Sequence, residues 1–342
     1  MASSGFRNWL AMRPCFITCP LKVKRGKTLT SINVNPIFHN SNVNLDSEHR
    51  VDLRSWLLSA RPKTLTASLV PVLIGAMVAL QHTQVELIWI FPILIATLLI
   101  QIGTNISNDY YDFKKGADTA DRIGPVRVTQ AGLISPKTVQ IGSFVIFIAA
   151  ILTGIPLVMR GGWIIVAIGL ISVLFGILYT AGPYPIAYLG LGELFVLVFF
   201  GIIAVSGTAY LLTLEWSKLA LLSGITIGML SISLLAVNNI RDISTDRKAG
   251  KNTLAARFGH RFARVEYLLA IFIAHAIGFY LVFQLKSLIW LCIFIPTILL
   301  SIEPIKIVFN KQDGQSLNTA LAKTARLQLL FGILFSIGLY PF

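Results

Sequence analysis

Long apolar runs separated by short polar intervals dominate this chain. Nine such runs lie at roughly residues 64–81, 88–107, 138–158, 162–181, 191–213, 218–238, 266–285, 287–304 and 325–341. Each approaches the ~20 residues that an α-helix needs to cross ~30 Å of hydrocarbon. The shorter runs predict tilt or interfacial ends. Pro71, Pro92, Pro156 and Pro296, in or near the runs, predict kinks instead of breaks. The expected fold is all-α: a multi-pass integral membrane bundle of about nine transmembrane helices, occupying residues 51–342.

Residues 1–50 break the pattern. They are rich in Ser, Asn and Thr and carry six Lys or Arg before the first acid, Asp46. They hold no long apolar core, which excludes a secretory signal. Two readings stay open for this basic extension, a disordered segment or an organellar transit peptide.

Composition narrows the class. The chain is 55% hydrophobic and 13% charged, with a mean hydropathy of +0.74. A soluble protein carries about twice that charged fraction. The net charge of +14 would suit nucleic acid, but the placement of the cations argues against that partner. Lys114, Lys115, Arg122, Arg127 and Lys137 follow the second run; Arg241, Arg247, Lys248, Lys251, Arg257, Arg261 and Arg264 follow the sixth; Lys306, Lys311, Lys323 and Arg326 follow the eighth. The alternate intervals hold only Arg160, Lys218 and Lys286. Positive residues stay on the cytoplasmic side, so the N-terminus and the basic intervals are expected there. A bacterial inner membrane is the expected location, an organellar membrane the alternative.

Acids are scarce and grouped. Of 15 Asp and Glu, six lie in two stretches: Asp109, Asp112, Asp118 and Asp121 after the second run, Asp242 and Asp246 after the sixth. Asn105, Asn108, Asp109 and Asp112 are spaced 0, 3, 4 and 7, and Asn239, Asp242 and Asp246 are spaced 0, 3 and 7, so each set shares one helical face. Carboxylates held beside a bilayer need partners. A shared Mg²⁺ would relieve their repulsion and take further ligands from substrate phosphates. The five histidines form no pair at helical spacing and the three cysteines no zinc pattern, which favours a hard cation held by oxygen. Arg122, Arg127, Arg241, Arg247, Lys248 and Lys251 flank the acids, an arrangement suited to a diphosphate.

These motifs bring a family to view. Asn108-Asp109-x-x-Asp112 with Asp118, and Asp242-x-x-x-Asp246-x-x-x-Gly250-x-x-Thr253, resemble the paired motifs of the UbiA-type membrane prenyltransferases. Arg61-Pro62-Lys63-Thr64-Leu65, the run from Asp118 to Arg127, and Tyr179-Thr180-Ala181-Gly182-Pro183-Tyr184-Pro185 leading to Glu193 are similar to the 1,4-dihydroxy-2-naphthoate branch, which serves menaquinone biosynthesis.

The resemblance implies an enzyme that joins a polyprenyl diphosphate to an aromatic acceptor within the lipid bilayer. It implies Mg²⁺ bridged by Asp109, Asp112, Asp242 and Asp246, with Asn105, Asn108 and Asn239 positioning metal or phosphate oxygens. Arg122, Arg127, Arg247 and Lys251 would neutralise the departing diphosphate. Tyr110, Tyr111, Tyr179 or Tyr184 would face the allylic cation, and Arg61 or Lys63 the acceptor carboxylate. For dihydroxynaphthoate the prenyl chain replaces the carboxyl group, CO₂ leaves and demethylmenaquinone results. Two other readings remain: the same chemistry on 4-hydroxybenzoate, homogentisate or another acceptor, and an ion-coupled transporter. Acids at helix ends, not at the midplane, weigh against transport.

Overall fold

The computed structural model describes residues 52–117, 124, 126–286 and 292–341, apart from the side chain of Lys63. The N-terminal extension, Asp118, Asp121 and Arg122 lie outside the described residues. Every regular element described is a helix. In chain order these are α1 (Leu53–Ala60), α2 (Pro62–Ala79), α3 (Ile90–Lys114), α4 (Pro136–Gly161), α5 (Trp163–Leu178) and α6 (Ile186–Leu189). After them come α7 (Gly192–Val196), α8 (Ala204–Thr213), α9 (Lys218–Lys248), α10 (Leu254–Leu285), α11 (Ile295–Asn310) and α12 (Gly314–Leu339).

Among the described residues, seven helices are long and apolar enough to cross a membrane, and α1 with α2 make an eighth if the bent pair counts as one span. The remaining expected run, α5, is helical but only 16 residues long. Among the described residues each of the nine runs is thus helical, and the count of nine spans holds approximately. The lipid-facing surface is apolar: Phe91, Phe144, Met159, Trp163 and Phe272 are exposed. This is a multi-pass membrane protein, as backbone paired within helices requires.

Several helices run further than their apolar stretches. Helix α3 continues to Lys114 and α9 to Lys248, while α12 begins at Gly314. Apolar content ends where hydrocarbon ends, but hydrogen bonding along the helix does not. The extra turns of α3 and α9 lift both acid motifs to one end of the bundle, where their helices point the same way.

Two local features shape the interior. Arg61 adopts a left-handed conformation (φ 53°) between α1 and α2, which bend by 57°. Between α7 and α8 the helix widens to a π-segment over Leu197–Ile203. There Gly201 meets Gly224 and Gly228 of α9; a Cβ on Gly201 would lie 2.4 Å from the Gly224 carbonyl oxygen. Backbone approach of this kind is what small residues permit in membrane bundles. The main core joins α2, α8, α9, α10, α11 and α12 around Tyr267, Phe294, Phe331 and Phe335. Helices α3, α4, α5 and α8 instead surround an apolar cavity of about 370 Å³.

Candidate active site

The polar face of α3 is buried from Gln101 to Asp112, and each turn of it meets a different element. Asn105 Nδ2 donates to the Ala60 carbonyl (3.0 Å) and to Thr64 Oγ1 (3.1 Å). It thereby satisfies a carbonyl that the end of α1 leaves open and clamps the bend at Arg61. Asn108 Oδ1 accepts from Thr180 Oγ1 at 2.8 Å. Asp109, 1% exposed, accepts the backbone N–H groups of Val128 (3.1 Å) and Thr129 (3.3 Å), one on each carboxylate oxygen. It fastens the turn 127–134 to α3.

Asp112 is the meeting point. Its Oδ2 accepts from Arg127 Nη2 and its Oδ1 from Lys251 Nζ, both at 3.1 Å, with the carboxylate side chain 3% exposed. Lys251 comes from the turn after α9, more than a hundred residues away in sequence, so this pair joins the two motifs. Asp246 lies within electrostatic range of Lys251, Asp242 and Asp112. Its backbone carbonyl accepts the Lys251 N–H (2.8 Å), and Thr253 Oγ1 approaches its carboxylate at 3.5 Å.

The turn carrying Lys251 is tied to the segment before α7. Asn252 N–H donates to the Tyr188 carbonyl (3.1 Å), and Arg257 Nη2 to the Leu189 carbonyl (2.8 Å). Gly190 completes this seam at φ 75°, and a Cβ there would lie 2.7 Å from the Asn252 carbonyl oxygen. Only glycine meets both demands. The Tyr188 ring sits between two cations, with Lys251 Nζ 5.0 Å and Lys115 Nζ 4.8 Å from its centroid. Lys115 also donates to the Gly182 carbonyl at 3.0 Å. Burial pulls the Lys115 amine below its ordinary value, with Asp112 opposing and Lys251 reinforcing the fall.

The second motif is more committed than its spacing suggests. Arg241, its side chain 1% exposed, forms a two-pronged pair with Asp242, Nε to Oδ1 at 2.8 Å and Nη2 to Oδ2 at 2.6 Å. The same guanidinium donates to Asn238 Oδ1 (2.7 Å) and Asn318 Oδ1 (2.8 Å), which brings α12 to the site. Asn239 Nδ2 donates to Glu193 Oε1 at 3.0 Å. Arg247, exposed, turns away and donates Nε to the Ala256 carbonyl (2.8 Å).

An apolar passage opens beneath this group. Thr104 and Gln101, one and two turns below Asn108 on α3, line the 370 Å³ cavity with Phe195 and Phe199. Tyr179 stacks against Phe195 (ring centroids 5.0 Å) and Phe195 against Phe199 (4.6 Å), so aromatic rings run from the polar group into the cavity. Tyr184 is 78% exposed, and Tyr110 and Tyr111 pack edge to face on each other at 4.9 Å.

A sequence model of the UbiA prenyltransferase family matches residues 68–330. The chain belongs to the UbiA prenyltransferase family. It is 35% identical over 297 residues to a 1,4-dihydroxy-2-naphthoate octaprenyltransferase of Haemophilus influenzae, covering 84% of this chain and 96% of that one. A Bacillus subtilis protein of the same description is 34% identical over 284 residues, covering 83% and 91%. Among solved structures, a UbiA homolog from Archaeoglobus fulgidus bound to DMAPP and Mg²⁺ superposes with a TM-score of 0.57 at 14% identity, covering 83% of this chain and 99% of that one.

For this UbiA member, the structure brings together Asp112, Arg127 and Lys251, with Asp242 and Asp246 in range. Asn105, Asn108, Asp109, Asn239 and Arg247 each have a hydrogen-bond partner within the fold. Lys115, Tyr188, Thr180 and Glu193 were not expected at the site. Lys115 follows directly on α3, and Tyr188 and Glu193 lie in the stretch that carried the resemblance, but no periodicity or spacing marked them.

The donor set suits Mg²⁺. Asp112, Asp242 and Asp246 are hard oxygen donors, and Mg²⁺ commonly takes one or two carboxylates and completes its shell with water and phosphate oxygens. Among the described residues no three His, Cys, Asp or Glu side chains are close enough to hold an ion by themselves.

Proposed function

We propose that this protein transfers a polyprenyl group from polyprenyl diphosphate to 1,4-dihydroxy-2-naphthoate, releasing diphosphate and CO₂ and giving the prenylated naphthalenediol, the reduced (quinol) form of demethylmenaquinone. One observation carries the reading: a buried carboxylate joined to cations from two distant motifs at the head of an apolar cavity. A diphosphate fits the polar end and an isoprenoid the apolar one. The naphthoate acceptor is supported by the relatives that share about a third of their residues with this chain.

Arg127, Lys251 and Lys115 hold the diphosphate and neutralise the charge that grows on it as the C–O bond breaks. Asp112, Asp242 and Asp246 would hold Mg²⁺, which supplies further charge neutralisation when bound. Tyr179 and Phe195 present ring faces to the allylic cation. The acceptor ring carbon that bears the carboxylate forms the new bond to the prenyl carbon. The carbon–carboxylate bond then breaks, CO₂ leaves, and its electron pair restores the aromatic ring. No proton need be removed from that carbon. The basic intervals support a cytoplasmic position for this end of the bundle.

The test is prenyl transfer in isolated membranes, with labelled polyprenyl diphosphate and either dihydroxynaphthoate or 4-hydroxybenzoate, with and without Mg²⁺. Mg²⁺-dependent product from the naphthoate alone, lost in Asp112→Ala, is the expected result. Product from 4-hydroxybenzoate alone would reassign the acceptor. Product from neither, with folded protein, would sink the naphthoate reading and turn the search to other acceptors or to transport.

A further inference from the structure

The start of α10 gathers cations that the acid group does not use. Arg247 Nε is fixed on the Ala256 carbonyl (2.8 Å), Arg257 Nη2 on the Leu189 carbonyl (2.8 Å) and Arg264 Nη2 on the Lys311 carbonyl (3.2 Å). Each guanidinium is thereby oriented by one backbone acceptor and makes no other hydrogen bond among the described residues. His260 lies within electrostatic range of both Arg264 and Arg247. None of these side chains pairs with a carboxylate among the described residues. Glu266, the acid next along α10, faces Glu193 instead. Like charges set this close repel unless an anion joins them.

The level of the cluster in the membrane points to the anion. Helix α10 breaks at Gly259 (φ 81°). Exposed Phe258 lies just before the break, and past it an exposed apolar stripe descends through Phe262, Val265, Leu269 and Phe272, spaced 3, 4 and 3. The first two rings lie 4.9 Å apart at the polar end of the stripe, where aromatic side chains mark the membrane interface. Arg261 and Arg264 form a parallel stripe one residue earlier, and Arg257 lies just before the break. Oriented arginines beside interfacial rings, with apolar surface below, match a phosphate with acyl chains attached.

We propose that Arg257, Arg261 and Arg264, with Arg247 and His260 beside them, bind the headgroup phosphate of an anionic phospholipid whose chains lie along the Phe262–Phe272 stripe. The bound lipid braces the turn between α9 and α10, which carries Lys251 to Asp112.

The experiment uses the full chain purified in a neutral detergent, with thermal unfolding and native mass spectrometry as readouts. Phosphatidylglycerol, phosphatidylcholine and inorganic phosphate are added separately. Phosphatidylglycerol should raise Tm by several degrees, roughly three times the effect of either other additive. Arg261→Gln with Arg264→Gln should remove most of that gain, while Lys218→Gln, at the opposite end of the bundle, keeps it. If the double variant does not fold, Arg261→Gln alone, at an exposed position, should retain fewer phosphatidylglycerol molecules than wild type. Equal effects of the two lipids, a full shift from phosphate alone, or a variant that keeps the whole gain would each overturn the proposal. Neither readout depends on prenyl transfer, so its failure and that of the enzymatic reading are separable.

Discussion

Asp109→Asn separates a loop-fastening role from a metal-binding one. In the structure both oxygens of this carboxylate accept backbone N–H groups of the turn 127–134, at 3.1 and 3.3 Å, and the residue is 1% exposed. Asparagine keeps the shape but offers one acceptor, and its NH₂ group meets a backbone N–H that also donates. One hydrogen bond to a charged group contributes about 1.5–3 kcal/mol, and a buried donor left open costs about 1–3 kcal/mol. The two overlap, so the expected loss is about 2–4 kcal/mol. That should lower Tm by on the order of 5 °C. The loosened turn carries Arg127, whose Nη2 reaches Asp112 at 3.1 Å. A displaced Arg127 should lower kcat/KM for the prenyl diphosphate about tenfold, or about 1.4 kcal/mol. The Mg²⁺ concentration giving half-maximal activity should stay within about twofold of wild type, since metal ligation is not what was removed. Thermal unfolding in detergent and a Mg²⁺ titration of prenyl transfer measure both. An unchanged Tm with a tenfold higher Mg²⁺ requirement would refute the argument and restore Asp109 as a metal ligand.

Other consequences are direct. Lys251→Ala strips Asp112 of its Oδ1 partner and should lower kcat by about 10²–10³, read in single-turnover transfer; a loss under about threefold would remove Lys251 from the site. Gly154 and Gly169 line the cavity, and a Cβ at either meets no atom within 4 Å. Gly154→Phe or Gly169→Leu should therefore fold normally and shift preference to shorter prenyl diphosphates, and an unchanged chain-length profile would detach the cavity from the isoprenoid. Burial lowers the Lys115 amine from its ordinary value of 10.5. Deprotonation removes a charge needed by the diphosphate, so activity should fall on an alkaline limb below that pH, and Lys115→Arg should move the limb upward. An unmoved limb would assign it to another group. Gly190→Ala faces both a positive φ and the Asn252 carbonyl, and should lower Tm and loosen the turn bearing Lys251, as protease nicking after Gly250 would show.

The sequence resolves faces better than roles. Spacing places Asn105, Asn108, Asp109 and Asp112 on one face of α3, and that face is buried as a unit. Periodicity cannot say what the face meets, because each turn of the helix passes a different neighbour: the bend at Arg61, then Thr180, then the turn 127–134, then Lys251. Four residues that look equivalent in the motif therefore do four jobs. Helix ends were set too early for a related reason. The apolar runs report the thickness of hydrocarbon, whereas α3 and α9 continue beyond it, and the site sits on those added turns.

Arg241 shows the same limit from the side of charge. Beside two aspartates in sequence, it reads as a cation for the diphosphate. Adjacent helical residues diverge by about 100° around the axis, and only a long side chain can fold back on its neighbour. Arg241 does so, with its side chain 1% exposed, and Asn318 Oδ1 from α12 and Asn238 Oδ1 close the rest of its fork. A guanidinium held by these acceptors is in no position to follow a departing phosphate. Its effect falls on Asp242, whose two oxygens it orients while each keeps a lone pair free. In the proposed reaction, charge neutralisation then falls to Arg127, Lys251 and Lys115, the cations that reach Asp112 or Tyr188. This division explains why the site needs so many basic residues for one anionic ligand: some aim the acids, and others meet the substrate.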